Sequence, residues 1–212
     1  MDPDELRARI ERARVYLVTD GRGGGASLHE FLDAVLAAGV GVVQLREKEL
    51  EARVILDLAE VFRDRCDAQS VPFIVNDRAD VALAARADGV HLGQDDLPIA
   101  QARRILGRDA IVGRSTHDAD QMRNAMSEDV DYVVVGPIHE TPTKPGRAAS
   151  GIDLVSVAAR EATKPWFAIG GIDLSTISAV RNAGAQRVVV VRAVTAAEDP
   201  AAAVASLVAA MS

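Results

Sequence analysis

The chain has 212 residues and a formal net charge of −7, and 49% of its residues are hydrophobic but only 3% aromatic. This length and apolar content suffice for one sizeable core, so we expect a single domain over residues 1–212. The overall negative charge does not favour a nucleic acid or an anionic membrane as partner, and the scarcity of aromatic residues argues against a base-stacking surface.

Short apolar segments alternate with alanine-rich helical segments along the whole chain. Eight strands are predicted, at residues 15–19, 41–45, 73–75, 89–92, 110–113, 132–135, 166–169 and 187–191. Most are apolar with little alternation, which is typical of parallel strands covered on both faces. Helices are predicted near residues 27–38, 51–68, 79–85, 97–106, 119–127, 154–162, 174–182 and 200–210.

Eight strands, each followed by a helix, predict a (β/α)8 TIM barrel, although the chain is short for that fold. The junctions between a helix and the next strand often contain a glycine, as at Gly39, Gly89 and Gly184. The alternative is a doubly wound open sheet with a glycine-rich first turn. The glycines at residues 21–25 match such a turn only loosely, so we interpret them as a flexible loop.

Polar side chains follow the second predicted strand. Gln44, Arg46 and Lys48 alternate there and therefore point to one side of an extended segment. Two cations and an amide at the mouth of a barrel suit a diphosphate, because Arg binds its oxygens in a bidentate way and Lys adds a mobile charge. The alternative is a solvated strand end in which Glu47 and Glu49 are the charge partners.

Carboxylates follow the third and fourth predicted strands. Asp77 comes directly after Asn76, and Asp96 closes a short polar segment after the fourth strand. Mg²⁺ binds one or two carboxylates together with phosphate oxygens and waters, so Asp77 and Asp96 are candidate ligands. The alternative for each is to cap the next helix. His91, inside the fourth strand, is explained equally well as a core histidine or a catalytic one.

The loops after the remaining strands carry further candidates. Ser115, after the fifth strand, could bind substrate, whereas Thr116 and Asp118 are equally plausible helix caps and His117 is interpreted as a scaffold residue. The sixth strand runs into Gly136-Pro137 and a loop whose two hydroxyls and one ammonium can grip an anion. That loop contains Thr141, Thr143 and Lys144.

The last two strands end in segments suited to a phosphate. Gly170-Gly171 after the seventh strand lets backbone N–H groups approach an anion, and Val191-Arg192 ends the eighth. Backbone donors after strands seven and eight form the usual phosphate site of a (β/α)8 barrel.

Together these motifs resemble the thiamine-phosphate synthase family, from residue 15 to about residue 200. The motifs are Gln44-x-Arg46-x-Lys48, Asn76-Asp77, Gly93-Gln94-Asp95-Asp96, Ser115-Thr116-His117, Gly136-Pro137 with Thr141-Pro142-Thr143-Lys144, and Ala168-Ile169-Gly170-Gly171. The resemblance implies a (β/α)8 barrel that joins 4-amino-2-methyl-5-pyrimidinylmethyl diphosphate to 4-methyl-5-(2-phosphoethyl)thiazole. The implied products are thiamine phosphate and pyrophosphate, and the implied cofactor is Mg²⁺.

The resemblance also implies roles for individual residues. Asp77 and Asp96 would hold Mg²⁺. The pyrimidine diphosphate would be bound by Gln44, Arg46, Lys48, Asn76, Ser115 and Lys144, of which Arg46, Lys48, Ser115 and Lys144 are the catalytic candidates. The thiazole phosphate would be bound by Thr141, Thr143, the Gly171 backbone, Val191 and Arg192. Arg192 is a departure, because many family members carry Ser at this position.

Two alternatives remain beside the synthase. A thiazole tautomerase is a related barrel that typically lacks the metal carboxylates and uses a histidine after strand six; here Pro137 follows Gly136. The second alternative is a regulator that binds a phosphate compound without catalysing a reaction. The resemblance further implies a homodimer, and the composition predicts no nucleic-acid or membrane partner.

The cellular location is predicted from the cysteine content and the N-terminus. Cys66 is the only cysteine, so no internal disulfide can form, which fits a reducing cytoplasm. We interpret it as a buried apolar side chain rather than a catalytic thiol. The acidic N-terminus lacks the features of a signal peptide, and no apolar run approaches the ~20 residues that span a bilayer.

Overall fold

The computed structural model describes residues 1–22, 24–140 and 149–212. Eight parallel strands close into a barrel in which each strand pairs with the next and β8 pairs with β1. The strands are β1 (Val15–Thr19), β2 (Val42–Leu45), β3 (Phe73–Asn76), β4 (Gly89–Leu92), β5 (Ile111–Thr116), β6 (Tyr132–Val135), β7 (Trp166–Ile169) and β8 (Val188–Val190). The predicted (β/α)8 barrel is therefore confirmed, and the alternative open sheet is wrong.

Helices surround the barrel. They are α1 (Pro3–Arg12), α2 (Gly25–Ala37), α3 (Ala52–Gln69), α4 (Ala79–Ala84), α5 (Ile99–Leu106), α6 (Ala119–Ser127), α7 (Gly151–Glu161), α8 (Ile177–Asn182), α9 (Arg192–Thr195) and α10 (Pro200–Met211). In the part of the chain that the structure describes, none of them is long and apolar enough to cross a membrane.

The ends of β5 and β8, which carry candidate site residues, differ from the prediction. β5 continues to Thr116, because Ser115 and Thr116 pair with Val134 and Val135 of β6. Ser115 therefore lies within a strand rather than in the loop after it. β8 stops at Val190, and Arg192 begins the short helix α9 instead of ending the strand.

The first helix was not predicted, and it covers one end of the barrel. Asp2 caps α1 by accepting hydrogen bonds from the N–H groups of its first turn, and Pro3 opens it. Leu6 and Ile10 are buried against the residues that fill the barrel interior. Arg7 ties the helix to the start of β6, since its Nε lies 2.8 Å from Oδ1 of Asp131, the residue before that strand.

The barrel interior is filled by side chains and is not a pore. The rings of Tyr16, Tyr132 and Phe167 meet edge to face, with centroids 5.4 to 5.8 Å apart. A second apolar layer lies between the strands and the outer helices, and it includes Cys66. Burial raises the pKa of the Cys66 thiol to about 12, so the residue stays protonated at neutral pH, as its interpretation as a core side chain requires.

Candidate active site

Two adjoining cavities open at the end of the barrel where the strands finish. The first, of about 220 Å³, is lined mostly by residues of β1 to β5 and the loops after them, and the second, of about 640 Å³, mostly by residues of β6 to β8 and their loops. Ser115, His117 and Val191 are among the residues that line both. The shared walls mean that two ligands bound here would lie side by side.

The first cavity brings together the predicted diphosphate residues of β2. Gln44, Arg46 and Lys48 all line it, as their alternation along the chain predicts. Glu47 faces elsewhere, because its Oε1 accepts a hydrogen bond from the Gly21 N–H at 2.7 Å. Glu47 therefore holds the loop after β1, which argues against the solvated strand end suggested as the alternative.

Asp77 and Asp96 meet across the same cavity. Burial, followed by a hydrogen bond with Asp96, raises the pKa of Asp77 above its ordinary value. Burial also disfavours the charge of Asp96, but hydrogen bonds from Asp77 and from the Gly93 N–H outweigh it and lower the pKa of Asp96. The two carboxyls are thus close enough to share a proton.

Neither aspartate occupies a capping position. The N-cap residues of α4 and α5 are Arg78 and Pro98. Asp77 instead has a left-handed backbone with φ of 62°, and it lines the first cavity. Asp96 accepts from the Gly93 N–H at 2.7 Å, a contact that needs glycine because a Cβ there would lie 2.9 Å from its Oδ2.

This carboxylate pair fits a hard divalent cation. Two like charges at close range disfavour each other's ionisation, and a cation between them would relieve that repulsion. Among the described residues no group of three or more His, Cys, Asp and Glu side chains is arranged to hold a metal. An ion held by Asp77 and Asp96 would therefore draw its other ligands from water and substrate oxygens, which is the pattern of Mg²⁺.

Asn76 supplies a buried hydrogen-bond donor to the first cavity. Its side chain is buried, and its Nδ2 has no partner among the described residues. A buried donor without an acceptor is costly, so this position suits an acceptor atom on a ligand.

A chain of hydrogen bonds runs beneath the first cavity and ends at Ser115. Nε2 of Gln44 donates to the Tyr16 hydroxyl at 2.5 Å, and the Tyr16 and Tyr132 hydroxyls lie 2.9 Å apart. The Tyr132 hydroxyl lies 3.1 Å from Nδ1 of His91, whose Nε2 lies 2.8 Å from Oγ of Ser115. From the sequence, His91 could be a core or a catalytic residue, and neither tyrosine was among the predicted site residues. The position of both tyrosines in buried strands was the available signal.

His117 and Asp118 have the structural roles that were suggested for them. Nδ1 of His117 donates to the Gly136 carbonyl at 2.5 Å, which ties the end of β5 to the turn after β6. Asp118 caps α6 by accepting from the Gln121 N–H at 2.8 Å. Thr116 is not a cap, since its hydroxyl donates to the Val134 carbonyl.

The second cavity is lined by the predicted phosphate residues of the last two strands. Gly171, Val191 and Arg192 are among its walls. A Cβ at Gly171 would lie 2.8 Å from Cβ of His139, so glycine also lets the loops after β6 and β7 pack together. The helix expected from residue 174 begins at Ile177, so an anion at Gly171 would meet loop N–H groups, whereas the first residues of α9, Arg192 and Ala193, line the other side of this cavity.

The remaining predicted residues, Thr141, Thr143 and Lys144, lie outside the described residues. Glu140, which precedes them, lines the second cavity.

Comparisons with known proteins agree with this geometry. Residues 15–194 match the family model described as thiamine monophosphate synthase. The chain is 55% identical over 203 residues to a thiamine-phosphate synthase of Streptomyces avermitilis, covering 95% of this chain and 94% of that one. A thiamine-phosphate synthase of Mycolicibacterium smegmatis is 54% identical over 214 residues, covering 96% and 94%.

A solved structure extends the likeness to three dimensions. The thiamine phosphate pyrophosphorylase of Pyrococcus furiosus superposes with a TM-score of 0.85 at 28% identity, covering 95% of this chain and 96% of that one. These names support the synthase interpretation and not the related tautomerase. On the family match and on relatives of this identity and coverage, the chain belongs to the thiamine-phosphate synthase family.

Proposed function

We propose that the protein joins 4-amino-2-methyl-5-pyrimidinylmethyl diphosphate to 4-methyl-5-(2-phosphoethyl)thiazole, giving thiamine phosphate and pyrophosphate. The observation that carries the proposal is the pair of adjoining cavities. One has two cations beside a carboxylate pair, and the other has glycine backbone beside Arg192. The diphosphate suits the first cavity and the monophosphate the second, so their reacting ends would meet near the residues that both cavities share.

The reaction breaks the C–O bond between the pyrimidine methylene and the diphosphate. The bonding electrons leave with pyrophosphate, and the electron-rich aminopyrimidine stabilises the resulting methylene cation. Arg46, Lys48 and Lys144 carry the positive charges proposed to stabilise the departing pyrophosphate. Charges fixed in advance in a water-poor site are effective because little reorganisation is needed during the reaction. Ser115 and Asn76 are proposed to donate hydrogen bonds to the same substrate.

Asp77 and Asp96 are the proposed Mg²⁺ ligands. The support for this is their close approach and the raised pKa of Asp77, which burial and the neighbouring Asp96 produce. When bound, Mg²⁺ would neutralise diphosphate charge and so favour departure of pyrophosphate.

The second cavity is proposed to orient the thiazole. The Gly171 backbone, Val191, Arg192 and the hydroxyls of Thr141 and Thr143 would hold its phosphate. The ring nitrogen then attacks the methylene carbon, and a C–N bond replaces the broken C–O bond. That nitrogen carries no proton, so the step needs no general base. Holding both partners side by side removes much of the entropic cost of their meeting.

We also propose a homodimer in the cytoplasm. The support for a dimer is the family resemblance together with exposed apolar side chains, Val54 on α3 and Leu83 on α4. The support for the cytoplasm is the single thiol at Cys66, which is buried. Light scattering coupled to gel filtration measures the assembly, and a monomer would contradict that part of the proposal.

The function is tested with both substrates and purified protein. We expect thiamine phosphate and pyrophosphate in equal amounts, only when both substrates and Mg²⁺ are present. Isomerisation of a thiazole precursor without any pyrimidine substrate would instead establish a tautomerase. Binding of both substrates without turnover would establish a regulator.

A further inference from the structure

The hydrogen-bond chain beneath the first cavity joins five strands and both tyrosines of the protein. Gln44, Tyr16, Tyr132, His91 and Ser115 stand on β2, β1, β6, β4 and β5, and all five side chains are buried. Only the two ends, Gln44 and Ser115, belong to the residues proposed to bind the pyrimidine diphosphate. Tyr16, Tyr132 and His91 place two hydroxyls and an imidazole in an otherwise apolar core, and direct binding of the diphosphate does not explain them.

The sequence leaves space for the central contact. Gly113 of β5 lies where Tyr132 and His91 meet, and a Cβ there would lie 2.4 Å from the Tyr132 hydroxyl and 2.6 Å from Nδ1 of His91. No side chain can therefore occupy this position without displacing the pair. The two rings are also stacked, with an interplanar angle of 24°. The absence of a side chain at Gly113 leaves room for the hydrogen bond between them.

The direction of the chain follows from its first donor. The Gln44 amide N–H group donates to the Tyr16 oxygen, so the Tyr16 proton is directed to the other neighbour, Tyr132. Burial raises the pKa of both Tyr16 and Tyr132, so each keeps one proton to donate at neutral pH. If Tyr132 donates in turn to Nδ1 of His91, a neutral imidazole carries its proton on Nε2.

The last link decides what Ser115 offers to a ligand. With its proton on Nε2, His91 donates to the Ser115 oxygen, and the Ser115 proton is directed away from His91. Ser115 lines both cavities, so its O–H group is available there as a donor. With the opposite tautomer, Ser115 would donate to His91 and present only lone pairs to the cavity. Diphosphate oxygens are acceptors, so only the first arrangement gives an attraction.

We propose that Tyr16, Tyr132 and His91 are positioning residues, whose one-way hydrogen-bond chain holds His91 in the Nε2–H tautomer and thereby makes Ser115 a donor to the diphosphate. The role in catalysis rests on the proposed function. The tautomer itself does not, because it belongs to the resting protein.

The tautomer is measured directly by ¹⁵N NMR of histidine-labelled protein without substrate. The His91 signals are assigned by their loss in His91→Gln. We expect an unprotonated Nδ1 and a protonated Nε2 in the wild type. A protonated Nδ1 with an unprotonated Nε2 would overturn the proposal, whether or not any variant folds or the protein makes thiamine phosphate.

The two tyrosines provide a matched pair of variants. Tyr132→Phe and Tyr16→Phe each remove one buried hydroxyl and keep the ring. We expect Tyr132→Phe to shift His91 towards the Nδ1–H tautomer, because Nδ1 loses its donor. Tyr16→Phe should shift the His91 tautomer in the same direction but less, because Tyr132 keeps its own hydroxyl and loses only the donor that directs its proton to His91. An equal response of the tautomer in both variants, or none in either, would contradict the chain.

Kinetics then separate positioning from packing. We expect Tyr132→Phe to lower kcat about tenfold, the effect of one hydrogen bond to a charged group, with KM for the thiazole phosphate unchanged. In a Ser115→Ala background the same substitution should have little further effect, because its path runs through Ser115. Additive losses in the double variant would mean that Tyr132 acts through packing alone, and would overturn the catalytic part of the proposal.

Discussion

The ammonium of Lys48 lies 3.0 Å from Oδ2 of Asp77, so one of the two proposed magnesium ligands is already paired with a cation. The Lys48 side chain is half exposed and can move, whereas Asp77 is held by a left-handed turn. Asp77 and an incoming diphosphate would therefore compete for the Lys48 ammonium. Binding of Mg²⁺ at Asp77 would release Lys48 towards the diphosphate.

Replacing Lys48 by Met should separate these two partners. We expect Mg²⁺ to bind about two- to threefold more tightly without substrate, because a half-exposed ion pair is weak. KM for the pyrimidine diphosphate should rise about tenfold, since a charge-assisted contact is lost. Lys164→Met is the control, because the Lys164 ammonium donates to the Glu128 carbonyl and does not line either cavity. Unchanged constants in Lys48→Met would exclude both roles.

Asp96→Asn should lower kcat about tenfold or more at limiting Mg²⁺, and excess Mg²⁺ should restore part of the loss. The fold should persist, because the amide oxygen can still accept from the Gly93 N–H. Asp95→Asn makes the same change of charge on an exposed neighbour at the rim of the same cavity, and should keep its activity. Titration of activity with Mg²⁺ checks both. Equal behaviour of the two variants would remove Asp96 from the metal site.

Asp77 should make the metal-free protein less stable as the pH rises. Burial and then Asp96 raise the pKa of Asp77 above 3.8, so the folded state holds its proton more tightly than the unfolded state. The stabilisation that the Asp77 carboxyl contributes is complete at pH values below its ordinary pKa. It is lost as the pH rises through the raised pKa of the folded state. Asp77→Asn removes the carboxylate and should raise Tm at pH 7 in EDTA. A lower Tm in the variant would contradict this sign.

Arg192→Ser should raise KM for the thiazole phosphate about threefold to tenfold and leave that for the pyrimidine diphosphate nearly unchanged. The reason is geometric, since Arg192 lines the second cavity together with Gly171. Arg160→Ser, the same change of charge on an exposed position of α7, is the control. If KM for the pyrimidine diphosphate moves instead, the two phosphate sites have been assigned the wrong way round at Arg192.

The barrel could be predicted because each strand is a short, almost purely apolar segment. The segments at residues 89–92, 132–135 and 166–169 match β4, β6 and β7 residue for residue. The end of β5 could not be placed, because Ser115 and Thr116 are polar but still pair with β6. Helix α1 was missed because its apolar side is only Leu6 and Ile10.

The candidate site was predicted where polar residues follow strands, and the structure brings Gln44, Arg46, Lys48, Asp77 and Asp96 to one cavity. The chain from Gln44 to Ser115 could not be predicted in the same way. Tyr16 and Tyr132 are 116 residues apart, and nothing local in either strand indicates that their hydroxyls meet. Such contacts depend on the closure of the barrel.

The central claim is that one mouth holds a metal-bound diphosphate beside a separate phosphate site. A crystal structure with thiamine phosphate, pyrophosphate and Mn²⁺ in place of Mg²⁺ tests it most directly, because Mn²⁺ is located by its anomalous signal. We predict a Mn²⁺ peak between Asp77 and Asp96, with pyrophosphate against Arg46 and Lys48 and the product's phosphate at Gly171. A peak away from both aspartates, or the two phosphate groups in exchanged positions, would contradict the account.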